Sequence, residues 1–262
     1  MPKYNAMEFG GEGYTNFVRK FGRIDGAAAT PTIVWDGTTP YEGWLPSEEF
    51  ITIVSDSGED QAGGDGGTHV ILTGQGEDGI EKSYILPLNG TTPVNINDID
   101  PGVKFDIIYT AQFFNLDSPN PNLSPTVDPA NRGNITISSL SGKTMAVIKA
   151  GLGRTQMMIW RCPADKYAEF NKVSIYPDAN KPVLAQIWAR DSKKSSWVVV
   201  GQIDIQDSIA SITHPFPDYI SPGTDICLVV VPEQTNTNIS AQMWIEKKDI
   251  ENYDELKEEG EI

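Results

Sequence analysis

The stretch "PVLAQIWARD" (Pro182–Asp191) decides the fold class. Val183, Ala185, Ile187 and Ala189 fall on one face at a period of two, and Leu184, Gln186 and Trp188 fall on the other. Such alternation marks a strand with one buried face and one mixed face. "ISAQMWIEKK" (Ile239–Lys248) repeats the pattern, with Ile239, Ala241, Met243 and Ile245 opposed to Ser240, Gln242, Trp244 and Glu246. Each places a tryptophan, Trp188 or Trp244, on its mixed face. A large aromatic there points to an interface more often than a lone leucine does.

Working outward, the same signals recur along the chain. "FITIVS", "THVILTG", "KSYILPL", "PVNIN" and "VKFDIIYTAQFF" lead, and "NITISS", "TMAVIKA", "TQMMIWRC", "FNKVSIYP", "SWVVVGQIDI" and "DICLVVVP" follow. Each run is short and bounded by Gly, Pro, Asn or Asp, the spacing of antiparallel strands in a sandwich or barrel. The expected class is therefore all-β, with two antiparallel β-sandwich or barrel-like regions joined by a Pro-rich loop. The boundaries read as an N-terminal arm and lead-in at 1–46 and a first β domain at 47–114. A Pro/Asn-rich linker or loop follows at 115–132, then a second, sandwich or jelly-roll-like domain at 133–246 and an acidic tail at 247–262. Four prolines, Pro119, Pro121, Pro125 and Pro129, define the linker, because they cannot donate to a ladder. In the tail, Asp249 can cap a short helix that places Ile250, Tyr253 and Leu256 on one face. In the arm, Phe17 and Phe21 are candidate anchors on a neighbouring subunit.

At 262 residues the chain is long enough for one large or two small cores. Thirty-six acidic residues against twenty basic ones give a net charge of −16, which argues against direct nucleic-acid binding and against anionic membranes. No apolar run reaches the length of a membrane span. The N-terminus "MPKYNAMEFGGEGY" has no apolar h-region, so no signal peptide is expected and synthesis in a cytosol is. The two cysteines, Cys162 and Cys227, lie in apolar runs and read as free buried thiols. Without a secretory signal, the N-x-S/T sequons at Asn89, Asn122, Asn134 and Asn238 are chance matches.

No enzyme is expected. The two histidines, His69 and His214, sit in no nucleophile motif, and G-x-S-x-G is absent. "SLSGKT" (Ser139–Thr144) ends like a phosphate-binding loop but lacks its first glycine, where Ile137 stands, so it reads as a hairpin turn. "GLGRT" (Gly151–Thr155) lacks the third glycine of a dinucleotide loop and precedes strands, so it also reads as a turn. Asp56, Glu59, Asp60 and Asp65 are weak calcium candidates without the alternating spacing of an EF-hand loop, and a solvated loop is the favoured reading. No other metal, no cofactor and no small-molecule ligand is expected. Exposed Trp35, Trp44, Trp188 and Trp244 supply the residue type of a sugar-stacking site, although core plugging is the first reading for Trp35 and Trp44. The "GTTP" shared by Gly37–Pro40 and Gly90–Pro93 is turn chemistry used twice, because nothing beyond those four residues aligns.

The order of several motifs carries a resemblance. "VRKFGRID", "VWDGTTPYEGW", "SDSGEDQAGGDGGTHVILTGQGEDG" and "LPLNGTTPV" are followed by "NRGNITI", "AVIKAGLGRTQMMIWRCPADKYAEF" and "ISPGTDICLVVV". From about Asn16 to Val231 the chain resembles a family of virion structural proteins of tailed bacteriophages. The resemblance implies a capsid cement or decoration protein on the outer capsid surface, made in the host cytoplasm. It further implies assembly with itself as a homotrimer and with the major capsid protein, whose subunits it would bridge. A tail, adaptor or fibre-base component and a carbohydrate- or receptor-binding virion protein are the alternatives. It transfers no catalytic residues. The interface candidates are Phe17, Phe21, Trp35, Trp44, Trp188 and Trp244.

Overall fold

The computed structural model describes residues 17–37, 40–114, 131–178, 180–191, 195–206, 210–212 and 219–250. The described chain is nearly all strand, as the alternation predicts. In order the strands are β1 (Phe17–Ala27), β2 (Thr32–Ile33), β3 (Ile51–Ser55), β4 (His69–Gln75), β5 (Glu81–Pro87) and β6 (Val94–Asn95). After a short 3-10 turn at Ile96–Asp98 come β7 (Ile107–Phe114), β8 (Ile135–Ser139), β9 (Thr144–Ile148), β10 (Ile159–Arg161) and β11 (Lys166–Pro177). The remainder are β12 (Val183–Arg190), β13 (Val198–Ile205), β14 (Ala210–Ile212), β15 (Tyr219–Ile220), β16 (Asp225–Pro232) and β17 (Thr237–Asp249).

These strands group into two compact units. The first holds residues 1–35, 78–80 and 156–262, and the second holds residues 36–77 and 81–155. The boundaries differ from those read from sequence. The segment taken as an N-terminal arm contains β1, an edge strand paired antiparallel with β17 from Phe17↔Glu246 to Ala27↔Thr237. β8 and β9 belong to the second unit, because β8 pairs with β3 from Ile51↔Ser139 to Ser55↔Ile135. The Pro-rich segment therefore connects β7 to β8 inside one unit, and its residues 115–130 lie outside the described ones. The second unit interrupts the first in sequence, between β2 and β10. Toward the acidic tail, Lys247–Asp249 belong to β17, Ile250 directly after Asp249 is helical, and the rest of the expected helix, in 251–262, lies outside the described residues.

The first unit contains two sheets. One runs β1-β17-β11-β14, with β15 also on β11; the other runs β10-β16-β12-β13, with β2 also on β16. Their inner faces meet closely. A Cβ added at Gly22 of β1 would lie 2.2 Å from Met158 Cγ and 2.9 Å from Val34 Cγ1, so only glycine leaves room at this crossing. Ile239, Ala241, Met243 and Ile245 are all buried, as the period of two requires. β16 is buried almost throughout and reads as the unbroken apolar run "ICLVVV". The second unit has a four-stranded sheet β6-β3-β8-β9 and a three-stranded sheet β5-β4-β7. Ile51, Ile53, Ile135 and Ile137 of the first, and Val70, Leu72, Leu86 and Ile107 of the second, are fully buried. Each such side chain contributes about 1.5–3 kcal/mol relative to exposure.

The turns behave as their chemistry demands. Ser139–Lys143 closes the β8–β9 hairpin, with Gly142 at φ +86°, the Gly142 amide on the Ser139 carbonyl, and the Ser139 amide on the Lys143 carbonyl. The phosphate-loop look-alike is a hairpin. Cys162 and Cys227 are buried thiols that form no disulfide. Burial, with Asp225 nearby, pushes the Cys227 thiol well above its ordinary value, so it stays protonated.

Candidate functional site

The outer face of the β1-β17-β11 sheet gathers three of the six candidate aromatics. Alternation along β1 turns Lys20, Gly22 and Ile24 inward and leaves Phe17, Arg19, Phe21 and Arg23 outward. Register sets Arg19 opposite Trp244, Phe21 opposite Gln242 and Phe17 opposite Glu246. On the other flank β11 carries a bulge between Phe170 and Lys172, which makes Lys172 rather than Asn171 the partner of Trp244. Trp244 thus has a cation on each neighbouring strand. The Arg19 guanidinium lies 5.2 Å from its ring centroid and Lys172 Nζ lies 5.4 Å from it. Arg19 also stacks 4.7 Å from the Phe21 centroid, and its Nη2 donates to Gln242 Oε1 at 3.1 Å. Cation–π contacts at exposed sites are worth about 0.5–1 kcal/mol each. Phe17 is 45% exposed and Tyr176, further along β11, is 38% exposed.

The charges on this sheet are unevenly matched. Toward the ends of its strands Arg23 pairs with Asp25 at 2.8 Å, Lys166 pairs with Asp249 at 2.5 Å, and Lys248 pairs with Glu169. Partial burial presses Lys248 down, but Glu169 outweighs it and holds the ammonium above its ordinary value. Arg19 and Lys172 meet no carboxylate among the described residues; their contacts are the two rings and Gln242.

The other candidates lie elsewhere. Trp35 is 1% exposed and bridges Met157, a core residue of the first unit. Trp44, in the second unit, is half-buried and meets Tyr41 edge-to-face at 5.7 Å. Trp188 is half-buried on the β16-β12-β13 sheet, with its indole N–H donating to Gln186 Oε1 at 3.0 Å. The sequence did not single out Arg19 or Lys172. The Phe-x-Arg-x-Phe alternation could have exposed Arg19, whereas Lys172 depends on a bulge that no local pattern announces.

Of the four calcium candidates, Asp56, Glu59 and Asp65 are exposed, as a solvated loop requires, and Asp60 is not. Asp60 is fully buried, and its two oxygens accept from Ser55 Oγ (2.6 Å) and from the amides of Gly67 (3.1 Å), Arg132 (2.8 Å) and Gly133 (2.9 Å). Asp56 accepts from the amide and side chain of Asn134, at 2.7 and 2.8 Å, and Glu59 from the amide of Asp65 at 3.3 Å. Their lone pairs hold the Gly-rich loop onto the chain leading into β8, where a cation would need them free. No group of three metal-ligating side chains occurs among the described residues. His69 stands beside the Thr68 hydroxyl, 2.9 Å from Nδ1, and His214 lies outside the described residues.

Two further clusters of charge occur among the described residues. In the first unit Asp225 is fully buried between two arginines, with Arg161 Nε at 2.5 Å and Arg190 Nε at 2.7 Å; Arg190 also stacks 4.6 Å from the Trp197 ring. In the second unit Glu48, Glu49, Phe50, Lys104, Leu140 and Ser141 line a shallow cleft of about 400 Å³. Both of its carboxylates are already engaged: Glu48 accepts from the Glu77 amide at 3.1 Å, and Glu49 accepts from the Ser141 amide at 2.8 Å and hydroxyl at 3.0 Å. Partial burial pushes Glu49 up, but these hydrogen bonds more than offset it and hold the group below its ordinary value.

The sequence matches no protein-family model and no curated protein. Among solved structures, the naturally occurring empty particle of cowpea mosaic virus (top component) aligns with 79% of this chain and 84% of its own, at 9% identity and a TM-score of 0.22. Infectious bursal disease virus strain Gt aligns with 90% of this chain and 73% of its own, at 12% identity and a TM-score of 0.25. Strain Gx of that virus aligns with 89% and 72%, at 11% identity and a TM-score of 0.26. Scores at this level establish neither a common fold nor a common role.

Proposed function

We propose that this chain is a structural component of a tailed-bacteriophage virion and acts as a capsid cement or decoration protein. The observation that carries the reading is the ordered set of turn and strand motifs from about Asn16 to Val231, which resembles that virion family. Two β units and a sheet face that carries exposed Phe17 and Arg19 beside Trp244 are features that suit lateral contacts with other subunits. The role is mechanical rather than catalytic. A contact of standard size, about 1,600 Å², gives affinities from micromolar to picomolar. Repetition over a lattice adds avidity, so modest contacts hold neighbouring major capsid subunits together. A sugar-binding virion role is the weaker alternative, because Trp244 is flanked by Arg19 and Lys172, whereas sugar stacking needs a clear ring face.

Quantitative mass spectrometry of purified virions tests the assignment. A copy number on the order of the major capsid protein's supports it, and a few copies per particle, as for a tail part, overturns it. Particles lacking the chain are expected to lose DNA at lower temperature.

A further inference from the structure

We propose that the outer face of β1-β17-β11 is a docking surface for an acidic protein segment, and that this segment is residues 251–262 of a second copy of the chain. The proposal goes beyond the virion role and does not depend on it.

The face selects for negative charge. The chain as a whole carries −16, yet Arg19 and Lys172 face outward with no carboxylate against them among the described residues. Elsewhere in the same unit Arg23, Lys166, Lys181, Lys248, Arg161 and Arg190 each have a carboxylate within salt-bridge distance. Two cations left to ring faces, in a protein with carboxylates in excess, mark a place where the counter-charge comes from outside. The face also selects for apolar contact. Trp244, Phe21 and the 45%-exposed Phe17 form a row beside the cations, the mixture of aromatic and arginine found at interface centres.

Residues 251–262, "ENYDELKEEGEI", answer both demands. They carry six carboxylates and one lysine, with Tyr253 and Leu256 as apolar side chains between them. The segment follows β17, the strand that bears Trp244. The test below distinguishes a neighbour's segment from the chain's own. Because each copy offers one face and one segment, the contact is head-to-tail, and it closes into a ring where the rotation allows.

The test compares three purified proteins: the full chain, a chain ending at Ile250, and the double variant Arg19→Glu, Lys172→Glu. Light scattering gives their masses at low ionic strength and in about 1 M salt, where the screening length falls to about 3 Å. A labelled synthetic peptide of residues 251–262 is titrated onto the shortened chain with and without the two reversals. The expected result is association of the full chain at low salt, lost in high salt, in the shortened chain and in the double variant. The peptide binds the shortened chain and weakens by about tenfold or more on charge reversal. Unchanged thermal melting of the variants shows that the fold is intact, since both residues are on the surface. The proposal is overturned by an oligomeric state indifferent to truncation, or by equal peptide binding with and without the reversals. It is equally overturned by a monomeric full chain whose shortened form takes up the peptide, because the segment then covers its own face. None of these outcomes bears on virion copy number, so failure here leaves the shell assignment standing.

Discussion

Two clusters in the first unit each bring two cations close together, and they are resolved in opposite ways. Around Asp225, Arg161 and Arg190 share one buried carboxylate. Around Trp244, Arg19 and Lys172 share one aromatic ring in view of solvent. Desolvation explains the contrast. A charge removed from water has to be paired, whereas a charge at the surface is solvated and is free to be paired by something else. The interior cluster is thus committed to the fold, and the surface cluster is available to a partner.

The comparison can be broken in order of expected effect. Asp225→Ala strands two arginines and should cost about 3–5 kcal/mol in denaturant melts; a loss under 1 kcal/mol would place Asp225 outside the stabilising core. Asp60→Ala leaves buried amides and the Ser55 hydroxyl without an acceptor, and about 1–3 kcal/mol should be lost. Added calcium should leave the melting temperature unchanged in wild type. Arg19→Ala removes only exposed ring contacts and should change stability by less than about 1 kcal/mol; a larger loss would make the face part of the fold's own support. The smallest effect is at Glu49. Its folded pKa lies below the unfolded value of 4.5, so its contribution is present above that pH and disappears as pH falls through the folded pKa. Glu49→Gln should therefore lose its stability deficit relative to wild type in acid, and a deficit constant with pH would remove the Ser141 hydrogen bonds as its cause.

Local pattern made the strands legible, because Val183 to Ala189 and Ile239 to Ile245 show their buried faces without help from the rest of the chain. It also made the Ser139–Lys143 turn legible, through one glycine at positive φ. Pairing was not legible. Phe17 and Glu246 sit opposite each other across most of the chain, and nothing near Phe17 names that partner. A strand paired at long range and an extended arm look alike in sequence, since both alternate and both carry aromatics. Within the Asp56–Asp65 loop the burial of Asp60 was hidden for a related reason. The loop's Gly, Asp and Ser composition is that of a solvated turn, which fits its exposed Asp56, Glu59 and Asp65, and only the return of Arg132 and Gly133 shows that Asp60 is buried. The site was half legible: Phe17, Phe21 and Trp244 stood out as side chains, and the cations between them emerged only from register and a bulge.

The pairing of β1 with β17 also imposes an order on synthesis. As the chain leaves the ribosome, residues 36–155 include every strand of the second unit, so that unit can close early. β17 lies between β1 and β11, so the sheet to which all three belong waits for Thr237–Asp249 to emerge. Until then β1 waits with an unpaired edge, and contacts this distant in sequence form slowly. Nascent chains stalled before Thr237 should therefore show protease resistance over residues 40–114 and cleavage in β1.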